Sequence, residues 1–558
     1  VKRDLAALVS QSYDVAIVGG GIYGVCAAWA AAGRGLSVCL LERNDFGSAT
    51  SSQSLKVVHG GLRYLQHADL ARFREGVLER RGFLELAPHL VHPLPFLVPT
   101  YGHALRSREV MTLGLFANDL LSFDRSPRGD PGKRIPRGTT VGRGAVLDFL
   151  PALAGTGVTG GALWYDCQTW NTERLLLSFL TAAVEAGARA ASQAEVVGFL
   201  GTPQRVEGVR VRDGETGASH DVRARIVLNA AGPWVDVLLG RLAKPPAAPR
   251  FHPSKAMNLL TRPLLRGRGV GLDGQSGFRD RDALLHKGTR LFFVVPWHDR
   301  SLLGTRHLPW RGDPDDFRIT RGDVTRFLDE VNAAYPPFKL GPEDVIGVYG
   351  GMLPQSPASV GGAEVELQKK AQVVDHAREE GVEGLVSMVG VKWTSARAVA
   401  DRAVALACRK LGRASKAKRP SRLPGSDFER HDEWLARAAT ELPSNLDARA
   451  GLHLLRSFGT RVHALLRLVH ERPELAAFVQ QGSPVIGAEI VHTAREEMAL
   501  HLDDVLLRRT ELAIAQPLSD AAIEGAAKLM AAELRWDAAR LEQELTRGHA
   551  ALSRFRGR

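Results

Sequence analysis

The sequence predicts an α/β protein in three parts: a dinucleotide-binding parallel fold, an antiparallel sheet interleaved with it, and a C-terminal all-helical domain. Three observations carry this. A strand–glycine–helix–strand unit occupies Tyr13 to Glu42. Apolar or alternating runs of strand length fill the middle of the chain, and from residue 433 onward nearly every segment has the helical period.

The N-terminal unit reads YDVAIVGGGIYGVCAAWAAAGRGLSVCLLE. Val15 to Val18 is a short apolar, β-branched run, as a buried parallel strand requires. Gly19, Gly21 and Gly24 follow as G-x-G-x-x-G, then the Ala-rich helix former Val25 to Ala32. A second apolar run, Ser37 to Leu41, ends in Glu42. Gly19 permits the tight turn, Gly21 lets backbone amides approach a pyrophosphate, and Gly24 lets the helix pack closely on the strand. Glu42 is placed to accept hydrogen bonds from a ribose 2′-hydroxyl. A glycine triplet alone is a weak signal, because Gly-rich turns are common. Here strand, glycines, helix, second strand and acid fall in register.

At 558 residues the chain exceeds one ordinary domain, and 44% apolar with 24% charged residues is a globular composition. No run reaches the apolar length of a membrane span, and Val1 to Gln11 lacks the basic-then-apolar order of a signal peptide. Cys26, Cys39, Cys167 and Cys408 are scattered, so neither a metal site nor a disulfide framework is expected, and a reduced, cytoplasmic setting is. The formal charge of +12 admits nucleic acid, an anionic membrane surface or anionic ligands as partners. The arginines are spread along the chain without interleaved aromatics, which argues against nucleic acid.

After Glu42, the stretch Asp45 to Gln66 clusters small hydroxyl residues (Ser48, Thr50, Ser51, Ser52, Ser54), then Lys56, His59, Gly60, Gly61, Arg63 and Tyr64. A solvated loop explains the serines but not a Gly-Gly pair flanked by His and Arg-Tyr. Ala68 to Leu86 reads as a helix. His103 to Phe123 is amphipathic: a core-facing helix, or one lying in a membrane interface. Thr172 to Ala186 reads as a helix, Ala194 to Phe199 as a strand, and Val206–Val211 with His220–Ala224 as a hairpin about Asp213-Gly214. ARIVLNAAG, from Ala224, is a buried strand that runs into small residues and Pro233-Trp234. Phe251–Leu260, Arg290–Trp297 and Ser301–Thr305 suggest the interleaved antiparallel sheet, and Leu385–Val389 one more buried strand leading to a helix near Lys392. Arg413 to Asp432 is charged, aperiodic and broken by Pro and Gly, so it reads as a linker. Ala448–Leu468, Gly487–Ala513, Asp520–Ala532 and Trp536–Leu552 read as helices of a separate domain.

Laid out this way, the chain resembles the FAD-dependent glycerol-3-phosphate dehydrogenase family. The resemblance rests on DVAIVGGGIYG (14–24), GRGLSVCLLE (33–42), ATSSQSLKVVHGGLRYLQ (49–66), LNAAGPWV (228–235), VVPWHDRSLLGT (294–305), GVKWTSAR (390–397) and AEIVHTAREEMALHLDDVLLRRT (488–510). It implies a two-dinucleotide-type FAD-binding fold, oxidation of the C2 hydroxyl of a glycerol phosphate, and electrons passed to a quinone at the membrane. Domain boundaries follow: an oxidoreductase domain over 1–412, with FAD-binding parts about 12–66, 160–250 and 383–412 and a substrate part about 251–382; a linker over 413–432; a helical domain over 433–558. The cofactor-binding residues implied are Gly19, Gly21, Gly24, Glu42, Arg43, Thr50, Ser51, Ser52, Val197, Gly232, Gly390, Lys392 and Thr394. Arg63, His59 and Lys392 match catalytic positions, and Tyr64, Thr394, Asn258 and Arg306 are the expected substrate contacts.

Two departures stand out. KAMN (255–258) puts Asn258 where the family has a pocket histidine, and GGMLPQ (350–355) puts Leu353 where it has the arginine expected to hold the phosphate. A phosphate is best held by bidentate Arg donors, and an amide cannot take the hydroxyl proton. Either His59 or Lys392 takes over as base, or the substrate differs; Arg306 and His307 are the nearest residues that could restore positive charge. The rival expectations are another hydroxy or amino substrate on the same scaffold, with oxygen or an electron-transfer protein as acceptor, and a flavin-binding protein without turnover. Expected partners are a small hydroxylated anionic substrate, a quinone or other acceptor, and peripheral contact at the inner membrane face, with a homodimer as an assembly the sequence allows.

Overall fold

The computed structural model describes residues 1–102, 107–274, 291–414, 422–515 and 517–557, and within them every side chain except those of Arg63, Gln66 and Ala515. The N-terminal unit folds as its pattern demands. Ser12–Val18 and Val38–Leu41 are parallel strands, Val15 opposite Val38 and Val18 opposite Leu41, with the helix Ile22–Ala32 crossing between them. That helix is buried almost throughout, which explains its small residues; a Cβ on Gly24 would stand 1.8 Å from the Gly19 carbonyl oxygen.

Ser12–Val18 sits mid-sheet. Val38–Leu41 and then Arg189–Ala191 lie on one side; Ser219–Asn229, Leu385–Val389 and the antiparallel Gln372–Asp375 lie on the other. Strand order therefore reverses at Ser12–Val18, and in such a sheet the crevice beyond the strands' carboxyl ends is where a ligand binds. The expected hairpin is present as Arg205–Asp213 paired with Ser219–Asn229, with Ala194–Thr202 on its outer edge.

A second sheet carries the middle of the chain. Its order is Val345–Pro354, Pro253–Thr261, Arg300–Pro309, Leu291–Trp297, Gly269–Asp273, Val91–Tyr101, Val158–Thr169 and Val57–Val58. Val91–Tyr101, which the sequence reading does not contain, carries Pro93, Pro95 and Pro99. All three share one parity, so the N–H groups they lack fall on a single edge of the strand.

The C-terminal helices, from His431–Thr440 to Ala538–Phe555, enclose two apolar cores. The expected helix 448–468 breaks at Gly459, where a Cβ would stand 1.8 Å from the Gly425 carbonyl oxygen. The expected helix 487–513 ends at Glu496; a π-helical turn, Val505–Arg509, follows the short helix Leu502–Asp504. Of the expected linker, residues 415–421 lie outside the described residues. From Leu423 onward the chain is packed: Leu423 N–H donates to the Leu86 carbonyl at 2.8 Å, Ser426 Oγ meets His89 Nδ1 at 3.0 Å, and Phe428 stacks on Trp434.

Charge locks the helical part onto the nucleotide fold. Arg509 Nη2 and Arg508 Nε each reach Asp45 at 2.6 Å, and Arg508 also bonds Asp503 and Asp504. All five side chains are buried, which is tolerable only because each charge is paired.

The amphipathic stretch 103–123 is not core-facing. Residues 103–106 lie outside the described residues; Arg108–Leu121 is a helix in which Leu115 alone is buried. Leu113, Phe116, Leu120 and the following Phe123 are each at least 65% exposed. Among the described residues no helix is long and apolar enough to cross a membrane.

Candidate functional site

One cavity of about 890 Å³ runs from the glycine turn to His59, Tyr64, Lys392 and Thr394. At the dinucleotide end it is lined by Gly19, Gly21, Glu42, Arg43, Thr50, Ser51 and Gly232. Gly21 caps the helix N-terminus, and a Cβ there would stand 3.0 Å from Ser51 Oγ, which accepts the Ile22 N–H at 2.9 Å. The Glu42 carboxylate accepts the N–H groups of Gly20 at 2.6 Å and Asn44 at 2.8 Å. Burial pushes its pKa up, against the pull of those two donors. Arg43 lies over the Trp234 ring at 4.3 Å and pairs with Asp315 at 2.6 Å.

Three expected cofactor positions are placed differently. Gly24 packs helix on strand, and Ser52 is buried with its hydroxyl on the Ala49 carbonyl; neither lines the cavity. Val197 does not line it either; Glu195 and Val196 do, because the strand's pairing shifts register between Val196 and Gly198.

At the reactive end, the loop after Leu385–Val389 is fixed by a residue of the glycine helix. Tyr23 Oη donates to the Lys392 carbonyl at 2.8 Å and accepts from the Val391 N–H at 3.2 Å. Gly390 is required there, since a Cβ would come within 2.3 Å of the Tyr23 ring. Lys392 Nζ donates to Tyr64 Oη, and Thr394 Oγ1 accepts the His59 N–H at 3.2 Å. His59 Nδ1 stands 3.1 Å from Asp166 Oδ2. The Arg63 side chain lies outside the described residues; its backbone belongs to the 3-10 turn Leu62–His67.

Asn258 lines the cavity with its amide engaged: Nδ2 donates to the Gln53 carbonyl at 2.9 Å, and Oδ1 accepts from Thr305 Oγ1 at 2.7 Å. Leu353 lines the cavity as well. Arg306 does not. Strand alternation turns Thr305 and His307 toward the cavity and Arg306 away, where it pairs with Glu330. The expectation that Arg306 restores positive charge in the pocket is therefore corrected.

The donor set fits a flavin dinucleotide: a glycine cradle that a side chain at Gly21 would fill, an acid at the end of the second strand, and a cavity continuous with a polar cluster. Tyr23, Asp166 and Thr305 are positions at the site that the sequence reading does not single out. Tyr23 sits inside the glycine motif, where an aromatic carries no signal of its own, and Asp166 is a lone acid in WYDC.

A family model described as FAD dependent oxidoreductase matches residues 14–406, and one described as the C-terminal domain of alpha-glycerophosphate oxidase matches residues 419–541. The chain is 28% identical to a glycerol-3-phosphate dehydrogenase of Synechocystis sp. over 557 residues, covering 98% of this chain and 97% of that protein. It is 31% identical to a glycerol-3-phosphate dehydrogenase of Mycobacterium leprae over 547 residues, covering 96% and 87%. The X-ray structure of glycerol-3-phosphate dehydrogenase from Bacillus halodurans complexed with FAD matches with a TM-score of 0.75 at 23% identity, over 99% of this chain and 96% of that one. At that identity the likeness speaks to the fold.

Proposed function

Given that the chain belongs to the FAD-dependent glycerol-3-phosphate dehydrogenase family, we propose that it oxidises the C2 hydroxyl of glycerol 3-phosphate and passes the electrons to a membrane quinone. One observation carries this reading: a single cavity joins the dinucleotide cradle to His59, Tyr64, Lys392 and Thr394. Gly19, Gly21, Glu42 and Ser51 would hold FAD, which when bound supplies the acceptor for the hydride leaving C2.

The chain's own residues place the substrate and move its proton. His59 is the base, because the Asn258 amide is engaged by Gln53 and Thr305 and cannot take a proton in any case. Lys392, held against Tyr64, sets a cation where the developing alkoxide and the phosphate need one. Leu353 gives the phosphate no donor, but positive charge lies elsewhere. A smaller adjoining cavity of about 190 Å³ shares His59, Tyr64 and Lys392 and is rimmed by Arg72, Lys369, Lys370 and Arg402 against Glu75. The phosphate is assigned to that rim.

The exposed helix supports membrane contact and a quinone acceptor. Met111 of Arg108–Leu121 lines the main cavity, and Leu113, Phe116 and Leu120 project from the opposite, exposed face of the same helix. Seated in a bilayer surface, that face would bring the cavity to a lipid-soluble acceptor.

The deciding experiment is anaerobic bleaching of the flavin absorbance with glycerol 3-phosphate, glycerol and other polyol phosphates. Rapid bleaching by glycerol 3-phosphate is expected. Bleaching by an uncharged polyol, with none by glycerol 3-phosphate, would establish the second reading, which Leu353 favours: the same chemistry on a substrate without phosphate.

A further inference from the structure

Behind His59 lies a buried acid that none of the sequence motifs contains. Asp166, on the strand Val158–Thr169, lines the cavity and places Oδ2 3.1 Å from His59 Nδ1. Its other oxygen accepts two donors, the Gly60 N–H at 2.7 Å and Arg80 Nη1 at 2.9 Å. Arg80 is itself buried and also donates to the Tyr165 carbonyl at 2.6 Å. The guanidinium lies so close to Gly60 that a Cβ there would fall 2.2 Å from Nη1. The first glycine of the Gly-Gly pair is thus the space Arg80 occupies, and the two together aim Asp166.

We propose that Asp166 is the positioning residue of the proton acceptor: it holds His59 with the proton on Nδ1, so that Nε2 receives the substrate hydroxyl proton. The proposal rests on the functional reading above for the identity of the substrate, but not for the tautomer. An ionised carboxylate only accepts hydrogen bonds, so the ring nitrogen facing it must carry hydrogen. Asp166 is held ionised: burial alone would raise its pKa, but His59, Arg80 and the Gly60 N–H outweigh it and bring it down to about 2. Also lining the cavities around His59 are the Lys392 ammonium, the Tyr64 hydroxyl, the Thr394 hydroxyl on the His59 backbone N–H, the Phe293 ring 6.3 Å from the imidazole, the cations Arg72, Lys369 and Lys370, and Glu75, which is paired with Arg402 at 2.7 Å. None of them offers Nδ1 an anionic acceptor. In the step itself, His59 Nε2 takes the O–H proton as the C2 carbonyl forms; FAD, which Gly19, Gly21, Glu42 and Ser51 would hold, would supply the acceptor for the hydride lost from C2.

Asp166→Asn isolates the effect. The amide oxygen is retained by the two donors, Gly60 and Arg80, so the NH₂ group turns to His59 Nδ1. The ring must then carry its proton on Nε2 and can no longer receive one. Turnover of glycerol 3-phosphate near neutrality is expected to fall roughly 10²–10⁴-fold, with FAD occupancy unchanged and the acid limb of the kcat/KM profile moved to lower pH. In a His59→Gln background the same substitution should cost little more. Nitrogen NMR of ¹⁵N-histidine protein gives a readout independent of turnover. The resonances lost in His59→Gln should report Nδ1–H in the wild type, and Nε2–H in Asp166→Asn. An Nε2–H tautomer in the wild type would overturn the proposal even if the variant does not fold. So would an unshifted pH profile, or an equal loss with and without His59. If glycerol 3-phosphate does not bleach the wild-type flavin, the substrate assignment fails while the NMR measurement still decides the role of Asp166.

Discussion

Thr305 Oγ1 stands 2.7 Å from Asn258 Oδ1, and with the Gln53 carbonyl at 2.9 Å from Nδ2 it commits the Asn258 side chain to the protein. Three segments that line the cavity meet at this amide: the strand Pro253–Thr261, the strand Arg300–Pro309, and the loop that carries Thr50 and Ser51. Asn258→Ala should cost about 1–3 kcal/mol through the partners it strands, and should weaken FAD retention. Urea unfolding and ultrafiltration measure the two. Wild-type values for both would mean that the amide ties nothing together.

Leu353→Arg tests where the phosphate sits. With the phosphate on the rim of the smaller cavity, KM for glycerol 3-phosphate should change little; a fall of about ten- to a hundredfold, the worth of a charge-assisted contact of roughly 1.5–3 kcal/mol, would place the phosphate beside residue 353 instead. Lys369→Ala with Lys370→Ala should raise KM in the original protein. If the lysine pair has no effect, the rim of the smaller cavity does not hold the phosphate.

Gly21→Val should give colourless, folded protein. Its Cβ alone approaches Ser51 Oγ to 3.0 Å, and the branches project where the pyrophosphate must pass. Full flavin occupancy would remove this turn from the cofactor site.

Two buried histidines of the helical domain predict a pH response. Burial would lower the pKa of His453, but Glu489 and Glu511 outweigh it and raise the value to about 8. Burial opposes His501 too, and Glu215 with Glu544 raises it to about 9. Both folded values exceed the ordinary value near 6.5, so their contribution is complete below pH 6.5 and is lost as pH rises through 8 and 9. With His453→Gln and His501→Gln combined, Tm should decline less steeply across that window than in the parent. Identical slopes would assign the alkaline loss to other groups.

The exposed helix predicts vesicle binding. Protein should sediment with anionic vesicles at low salt and release as salt rises, since Arg128, Arg134 and Arg137 are exposed in the segment that follows. Leu113→Asp with Phe116→Asp should abolish sedimentation and leave bleaching by substrate intact. Retention by the double variant would move the contact elsewhere.

The nucleotide fold was legible because its signals are local: strand, glycines, helix and acid lie within one stretch of chain, and packing demands those residue types there. Strands with alternating apolar residues were legible for the same reason. Val91–Tyr101 was not legible: the common parity of its prolines matters only once a neighbouring strand is known. At the site, motif residues such as His59 and Lys392 stood out, but their partners did not. Tyr23 reaches Lys392 across 369 positions and Asp166 reaches His59 across 107, so only folding makes them neighbours. Arg306 shows the converse, a charge in the right strand whose parity sends it to the wrong face. Lys56, part of the most distinctive motif, is a structural residue: it is fully buried and bonded to Glu173 and Thr172.

Arg509 is synthesised 464 positions after Asp45. Until Arg508 and Arg509 emerge, a nascent chain carries an unpaired acid three residues beyond Glu42, at the edge of the cofactor cradle, and that acid must stay hydrated. A product terminated before Arg508 would own every glycine of the binding motif and still lack the two arginines that pair with Asp45.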